Sequence, residues 1–539
     1  MMKDQRRAIV PGVRLTLALI ISTVCFLGGP EAAGQADKKE LRQAQRHIRA
    51  GAYDKAEKIY RKLLTKDHTD QSARLHLSFA LLKQGRVDET YQQASIVAGQ
   101  DPLSARAHAL LGTALLRSGV FKLSIQELTT AAILDEKESM ALASLAEIDF
   151  FENRSRQAYD RLRRATNLEP EEPDYWIAFG RAAARLELFK EAAGHYERFL
   201  SISPKLEREK RERYRGLIDF YNALARVGIT HLHRVDGPQT VTLPFELQNS
   251  RPFLRVSIDG SEPLNLVIDT GASITVLSEK VARRLGIHPM AQGGRARAVG
   301  GGGTFPIVYG LVGQIALGPV KVYNVPIYIR EFHATDDKGE NTSPADGFLG
   351  LSVMSNFRLT LDYAQRELVF EQAPVRWAPE SVSSDTTVVR FRTTNGGLVS
   401  AEVKVHGDEA LNFLVDSGAS ATVLAEDAVE RLNWKDKVLP EIKVRVLGAA
   451  GLIEDVDLIL VPSLAIDGLE QRNIRAPVLD LDAVNETAGF MQSGILGGNF
   501  LRHFRLTFDF ERGQLLMQPQ TEAVQKRLSQ SLTVPPMER

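Results

Sequence analysis

The sequence predicts a multidomain protein, an all-α solenoid followed by a mostly-β body built of two similar lobes. Three observations predict it. Residues 37–206 repeat every 34 residues, with apolar side chains at helical spacing between the repeat marks. Beyond Gly237-Pro238, short alternating segments punctuated by Gly and Pro take over, which is the pattern of strands and turns. This second half then repeats itself at an offset of 147 residues. A chain of 539 residues is also too long for one hydrophobic core, so several domains are expected.

The N-terminus differs in kind from the rest of the chain. Arg6, Arg7 and Arg14 lead into a 13-residue apolar run, Leu15 to Leu27, and the small residues Ala32-Ala-Gly-Gln-Ala36 come after it. That order reads as an export signal over residues 1–36, cleaved near Ala33 or Ala36, with a periplasmic or extracellular destination. The run is shorter than the roughly 20 residues a spanning helix needs, although an uncleaved signal would leave an N-terminal membrane anchor. Cys25 is the single cysteine and lies inside this segment, so the remainder has no disulfide, no thiol nucleophile and no thiolate metal site. Formal net charge is zero, which supplies no electrostatic reason to expect nucleic acid as a partner.

Within the solenoid region, Ala44, Ser78, Gly112, Ala146 and Gly180 form one register and Ala56, Thr90, Ser124, Ala158 and Ala192 another, each spaced by 34. Small residues at fixed intervals suit positions where two helices cross closely. Gly51, Gly85 and Gly119, with Pro102, Pro170 and Pro204, mark the turns between helices. The pattern resembles the tetratricopeptide repeat, which implies five stacked helix pairs over 37–206. A charged capping helix and linker fill 207–236, where the alternating charges of Lys205 to Arg215 read as a solvated helix face. An array of this kind offers a surface for a protein partner, or serves only as a spacer.

The β half divides into a first lobe at 240–375, a linker at 376–395, a second lobe at 396–520 and a tail at 521–539. Leu266-Val-Ile-Asp-Thr-Gly-Ala-Ser-Ile-Thr-Val-Leu277 aligns with Phe413-Leu-Val-Asp-Ser-Gly-Ala-Ser-Ala-Thr-Val-Leu424. Gly347-Phe-Leu-Gly350 aligns with Gly494-Ile-Leu-Gly497, and Phe357–Asp362 with Phe504–Asp509, all at the same 147-residue offset. A strand, then Asp-Thr/Ser-Gly-Ala, then a distant Gly-apolar-apolar-Gly resembles the retropepsin-like, pepsin-type aspartic proteases. The resemblance covers about residues 250–372 and 398–517.

The resemblance implies an aspartic-type endopeptidase whose catalytic aspartates are Asp269 and Asp416. Thr270 and Ser417 would tie the two Asp loops together, and Gly271 and Gly418 would allow the tight turns that bring backbone N–H groups to the carboxyls. Two carboxyls sharing one proton can activate water and protonate a carbonyl oxygen, with neither metal nor covalent nucleophile, so no cofactor is implied. Flap tips are expected at Gly300, Gly301 and Gly302 in the first lobe and at Gly448 and Ala449 in the second; ordinary hairpin turns are the alternative. Neither tip carries the tyrosine that pepsin places there. With both motifs in one chain, a monomer is the simplest active unit, and its substrate is a peptide or protein. A non-catalytic peptide-binding or assembly protein with a protease-like cleft is the alternative function.

Other signals are set aside. No Lys-Ser/Thr follows the glycines at 300–303, so they are not a phosphate loop. His231-Leu-His233 lacks a third ligand at metal spacing, and Ser273 and Ser420 lack a telling His.

Overall fold

The computed structural model describes residues 31–520 apart from 230, 249, 298, 300–303, 332–344, 373–383, 408–409 and 450, with side chains from residue 38. Most of the segment read as an export signal therefore lies outside the described residues. Eleven consecutive helices run from Glu31 to Arg226, and a mostly-β, two-lobed region follows. Among the described residues no helix is long and apolar enough to cross a membrane.

The chain divides into two compact units. The first holds the chain to Ile148, Ala158–Ala178 and Ile202–Lys205. In it the helices Glu31–Arg49 and Tyr53–Lys66, Gln71–Lys83 and Val87–Gln100, and Ala105–Arg117 and Phe121–Leu134 form helical hairpins. The two small-residue registers meet where helices cross. Ser78 Oγ donates to the Thr90 carbonyl at 2.9 Å, and Ser124 Oγ to the Gly112 carbonyl at 2.7 Å. Any larger residue at Gly112 would strike Leu128, since an added Cβ would lie 2.5 Å from its Cγ. Asp70 and Ser104 cap the following helices by accepting from the Ala73 and Ala107 amides. Lys83 is joined to Glu172 and, at 2.6 Å, to Asp174, which links helices far apart in sequence.

The second unit holds Asp149–Gln157, Phe179–Ser201 and everything from Leu206. Among the described residues its β-strands form two sheets, of nine and thirteen strands. In the first lobe Gly347–Leu349 runs parallel to Leu264–Ile268 and antiparallel to Thr275–Ser278. In the second lobe Gly494–Leu496 stands in the same relation to Ala410–Val415 and Val423–Ala425. The thirteen-stranded sheet then crosses from one lobe to the other. Phe357–Asp362 pairs antiparallel with Phe504–Asp509 so that Thr360 sits opposite Thr507, 147 residues on, with their hydroxyls 2.8 Å apart. A pairing in which a residue meets its own counterpart marks a local two-fold axis between the lobes.

The linker expected over 376–395 is shorter than the composition suggests. Thr387–Thr393 is a strand, with Val389 and Phe391 buried, and pairs with Gln514–Pro519 in the shared sheet. The Ser/Asp/Thr-rich stretch before it hides the alternation. Arg234–Asp236, read as part of the linker after the capping helix, is likewise a short strand against Val320–Arg330.

Candidate active site

Asp269 follows the strand Leu264–Ile268, whose apolar side chains Leu264, Leu266, Val267 and Ile268 are buried in the core. Asp416 follows Ala410–Val415 in the same way. The Asp269 amide donates to the Leu349 carbonyl at 3.1 Å, and the Asp416 amide to the Leu496 carbonyl at 3.0 Å. The apolar-apolar segments thus fix the backbone on which each aspartate stands. Their leading glycines are required by close approach: an added Cβ would lie 2.2 Å from the Val276 carbonyl at Gly347 and 2.2 Å from the Phe413 ring at Gly494.

Each Asp loop then turns back on its own carboxyl. The Gly271 amide donates to Asp269 Oδ1 at 2.8 Å, while the Gly418 and Ala419 amides donate to Asp416 Oδ1 at 2.8 and 3.1 Å. The hydroxyls lock the loops across the two-fold axis. Thr270 Oγ1 donates to the Val415 carbonyl at 2.7 Å and accepts from the Ser417 amide at 2.9 Å. Ser417 Oγ donates to the Ile268 carbonyl at 2.7 Å and accepts from the Thr270 amide at 3.1 Å. Both residues are buried, so all four bonds form where an unmade one would cost about 1–3 kcal/mol.

This lock brings the carboxyls together. An added Cβ on Gly271 would lie 2.3 Å from Asp416 Oδ2, and one on Gly418 2.5 Å from Asp269 Oδ1. Each glycine therefore faces the carboxyl of the opposite lobe, which sets the two carboxyls side by side. Both residues are half-buried. Burial, then the charge of its partner, holds Asp269 well above the usual carboxylate range. Burial also raises Asp416, against the hydrogen bonds it accepts. The Arg251 guanidinium pulls both the other way. The two titrate as a pair, so the shared proton belongs to neither alone.

Residues 254–353 and 401–500 each match the aspartyl protease family, one segment per lobe. The β half is a pair of aspartyl protease-like lobes. Residues 47–114 and 150–207 match tetratricopeptide repeat families, so tetratricopeptide repeats precede the aspartyl protease-like lobes. No curated protein matches the chain. Part of it is similar to an aspartic proteinase from Irpex lacteus, at 13% identity over 52% of this chain and 98% of that one, with a TM-score of 0.34. Another part is similar to a thermophilic TPR protein from Thermus thermophilus, at 20% identity over 34% of this chain and 98% of that one, with a TM-score of 0.29.

The aspartyl protease-like lobes each carry a hairpin at the interval expected for a flap. In the first, Ala291–Arg297 pairs with Thr304–Leu317; the tip glycines Gly300, Gly301 and Gly302 lie outside the described residues. In the second, Gly448 ends the strand Val438–Gly448 opposite Gly451, and Ala449 lies in the turn. His231, set aside as a metal ligand, meets Glu187 at 3.0 Å. The motif pattern alone misses a further tie in each lobe. Thr275 Oγ1 accepts from the Gly350 amide at 3.2 Å and Ser352 Oγ from the Thr275 amide at 3.2 Å. Thr422 Oγ1 accepts from the Gly497 amide at 3.2 Å, and Asn499 Oδ1 accepts from Thr422 at 2.7 and 2.8 Å. The 147-residue offset already pairs Thr275 with Thr422 and Ser352 with Asn499, and would have found them. Arg251 and Arg330 have no such signal, because the equivalent positions are Leu398 and, by strand register, Leu479.

Proposed function

We propose that the chain is an aspartic-type endopeptidase in which Asp269 and Asp416 hold a water molecule and hydrolyse peptide bonds without an acyl-enzyme. With one proton shared, the ionised carboxyl takes a proton from water as its oxygen attacks the peptide carbonyl carbon. The protonated carboxyl gives its proton to the carbonyl oxygen, forming a tetrahedral diol. As the C–N bond breaks, the ionised carboxyl takes one proton from the diol and the protonated one gives its proton to the leaving nitrogen, so the pair again holds a single proton. The observation that carries this reading is the reciprocal Thr270–Ser417 lock with each glycine facing the opposite carboxyl, an arrangement that a peptide-binding cleft would not need.

Both aspartates come from one chain, which supports a monomeric active unit. Tetratricopeptide repeats generally mediate protein interactions, and here they are proposed to recruit the protein substrate or a partner. An exported, periplasmic or extracellular setting accords with the N-terminal segment. The test is cleavage of a random peptide library from acidic to neutral pH. Asp269→Asn and Asp416→Asn should each lower kcat/KM by about 100- to 10,000-fold. Activity surviving either substitution would sink the shared-proton mechanism, and a wild-type protein that cuts nothing at any pH would leave the peptide-binding reading.

A further inference from the structure

The two hairpins beside the paired aspartates are held in different ways. In the first lobe, the helix Arg208–Arg226 lies directly on the strand Ala291–Arg297: an added Cβ on Gly216 would sit 2.1 Å from Gly293 Cα and 2.3 Å from the Gln292 carbonyl. Around this backbone contact Phe220 stacks on Tyr309 with ring centroids 4.7 Å apart, and Phe189 and Leu224 complete the apolar cluster. The base of this hairpin is therefore seated on a helix.

The second-lobe hairpin, Val438–Gly448 with Gly451–Ile466, leaves Ile442, Leu447 and Leu452 exposed instead. Its tip is reached from the first lobe by Arg330, whose Nη2 donates to the Ala449 carbonyl at 3.1 Å. Arg330 ends the strand Val320–Arg330, opposite Ser278 in the parallel pairing that follows the Asp269 loop. Its guanidinium lies over the Phe305 ring, 4.5 Å from the centroid, so one planar group touches both hairpins. The equivalent second-lobe position is Leu479, which faces Ala425 as Arg330 faces Ser278 and has no side-chain donor, so the device belongs to the first-lobe strand alone.

We propose that Arg330 is a positioning residue that holds the tip of the second-lobe hairpin against the first lobe, while the base of the first-lobe hairpin is seated on its helix, so that substrate enters and leaves by movement of the second-lobe hairpin. The inference rests on the reading of Asp269 and Asp416 as the hydrolytic pair. Arg330 is also within electrostatic reach of Asp269, whose charge supports the guanidinium against burial. Among the described residues Asp416, Arg251 and Arg330 face Asp269, and Asp269 and Arg251 act on Asp416, whose charge in turn raises the Tyr363 phenol.

The test is amide hydrogen exchange of the full chain without substrate, read on residues 444–456, for wild type, Arg330→Ala and Arg330→Lys. Loss of a charge-assisted bond should raise exchange there about 10-fold or more in Arg330→Ala. Residues 357–362 should keep the wild-type rate, and Arg330→Lys, which keeps the charge and loses the planar stacking, should fall between. In the cleavage assay, Arg330→Ala should raise KM more than it lowers kcat. Removing a cation raises the proton affinity of the pair, so the alkaline limb of its pH profile should move upward while that of Arg330→Lys stays put. Unchanged exchange over 444–456, or a rise spread evenly over both lobes in both variants, overturns the proposal. Raised exchange confined to 444–456 in a protein that cuts no peptide upholds the latch and removes the endopeptidase reading instead.

Discussion

At the scale of the residue, the pair of aspartates is held by groups that do no chemistry themselves. Gly271 shows how tight the arrangement is. Its φ is not positive, so its backbone would accept an alanine, and in an open loop Gly→Ala stabilises by about 0.4–1 kcal/mol. Here the new carbon would lie 2.3 Å from Asp416 Oδ2. Gly271→Ala is expected to push the opposite carboxyl out of place and lower kcat by about 100-fold or more, measured on any peptide the wild type cuts. Near-normal turnover would show that the carboxyls are not packed as described. Asp269, Thr270 and Gly271 were legible in the sequence because a turn that must present a carboxyl, a locking hydroxyl and an amide uses contiguous residues. Arg251, Arg330 and Tyr363 were not, because they arrive from strands and turns far along the chain and nothing in their neighbours announces where they converge.

At the scale of the element, the solenoid helices and the alternating strand pattern of the β half could be read because their periodicity reflects the faces they bury. The strand Thr387–Thr393 escaped because its alternation begins directly after a polar run that reads as linker. The seating of the helix Arg208–Arg226 escaped for another reason. Gly216 and Gly293 are each ordinary in sequence, and only their contact makes them necessary. A glycine inside a helix normally costs about 1 kcal/mol relative to alanine. At Gly216 the sign should reverse, because the added carbon meets the backbone of Gly293 at 2.1 Å, where no side chain can swing aside. Gly216→Ala should therefore lower stability by about 1–3 kcal/mol in chemical denaturation. A stabilised variant would mean that the helix does not rest on the hairpin.

At the scale of the whole molecule, the buried titratable groups pull stability in opposite directions with pH. The His233 imidazole has a buried Nε2 with no hydrogen-bond partner among the described residues, and burial pushes its pKa down from 6.5 to about 4. Its unfolded form binds the proton more readily, so its contribution is complete above pH 6.5 and is lost as pH falls toward 4. The loss from this group is at most about 3 kcal/mol. Burial lowers His195 and His503 in the same direction. The paired aspartates work the other way: their raised proton affinity favours the fold at low pH and lets that contribution go as pH rises above 3.8. Between pH 7 and 4 the histidines should dominate the acid side, and His233→Gln should flatten the fall in denaturation midpoint relative to wild type. An unaltered slope would place the acid sensitivity elsewhere. The seam between the lobes carries a different kind of consequence. Because Thr360 meets its own counterpart Thr507, a single ancestral lobe could have met a second copy of itself through the same contact. Such a symmetric ancestor would be obliged to treat both sides of its substrate alike. Covalent fusion lifts that obligation, letting each copy drift, and the arginine at 330 with a leucine at its counterpart 479 is a trace of that drift.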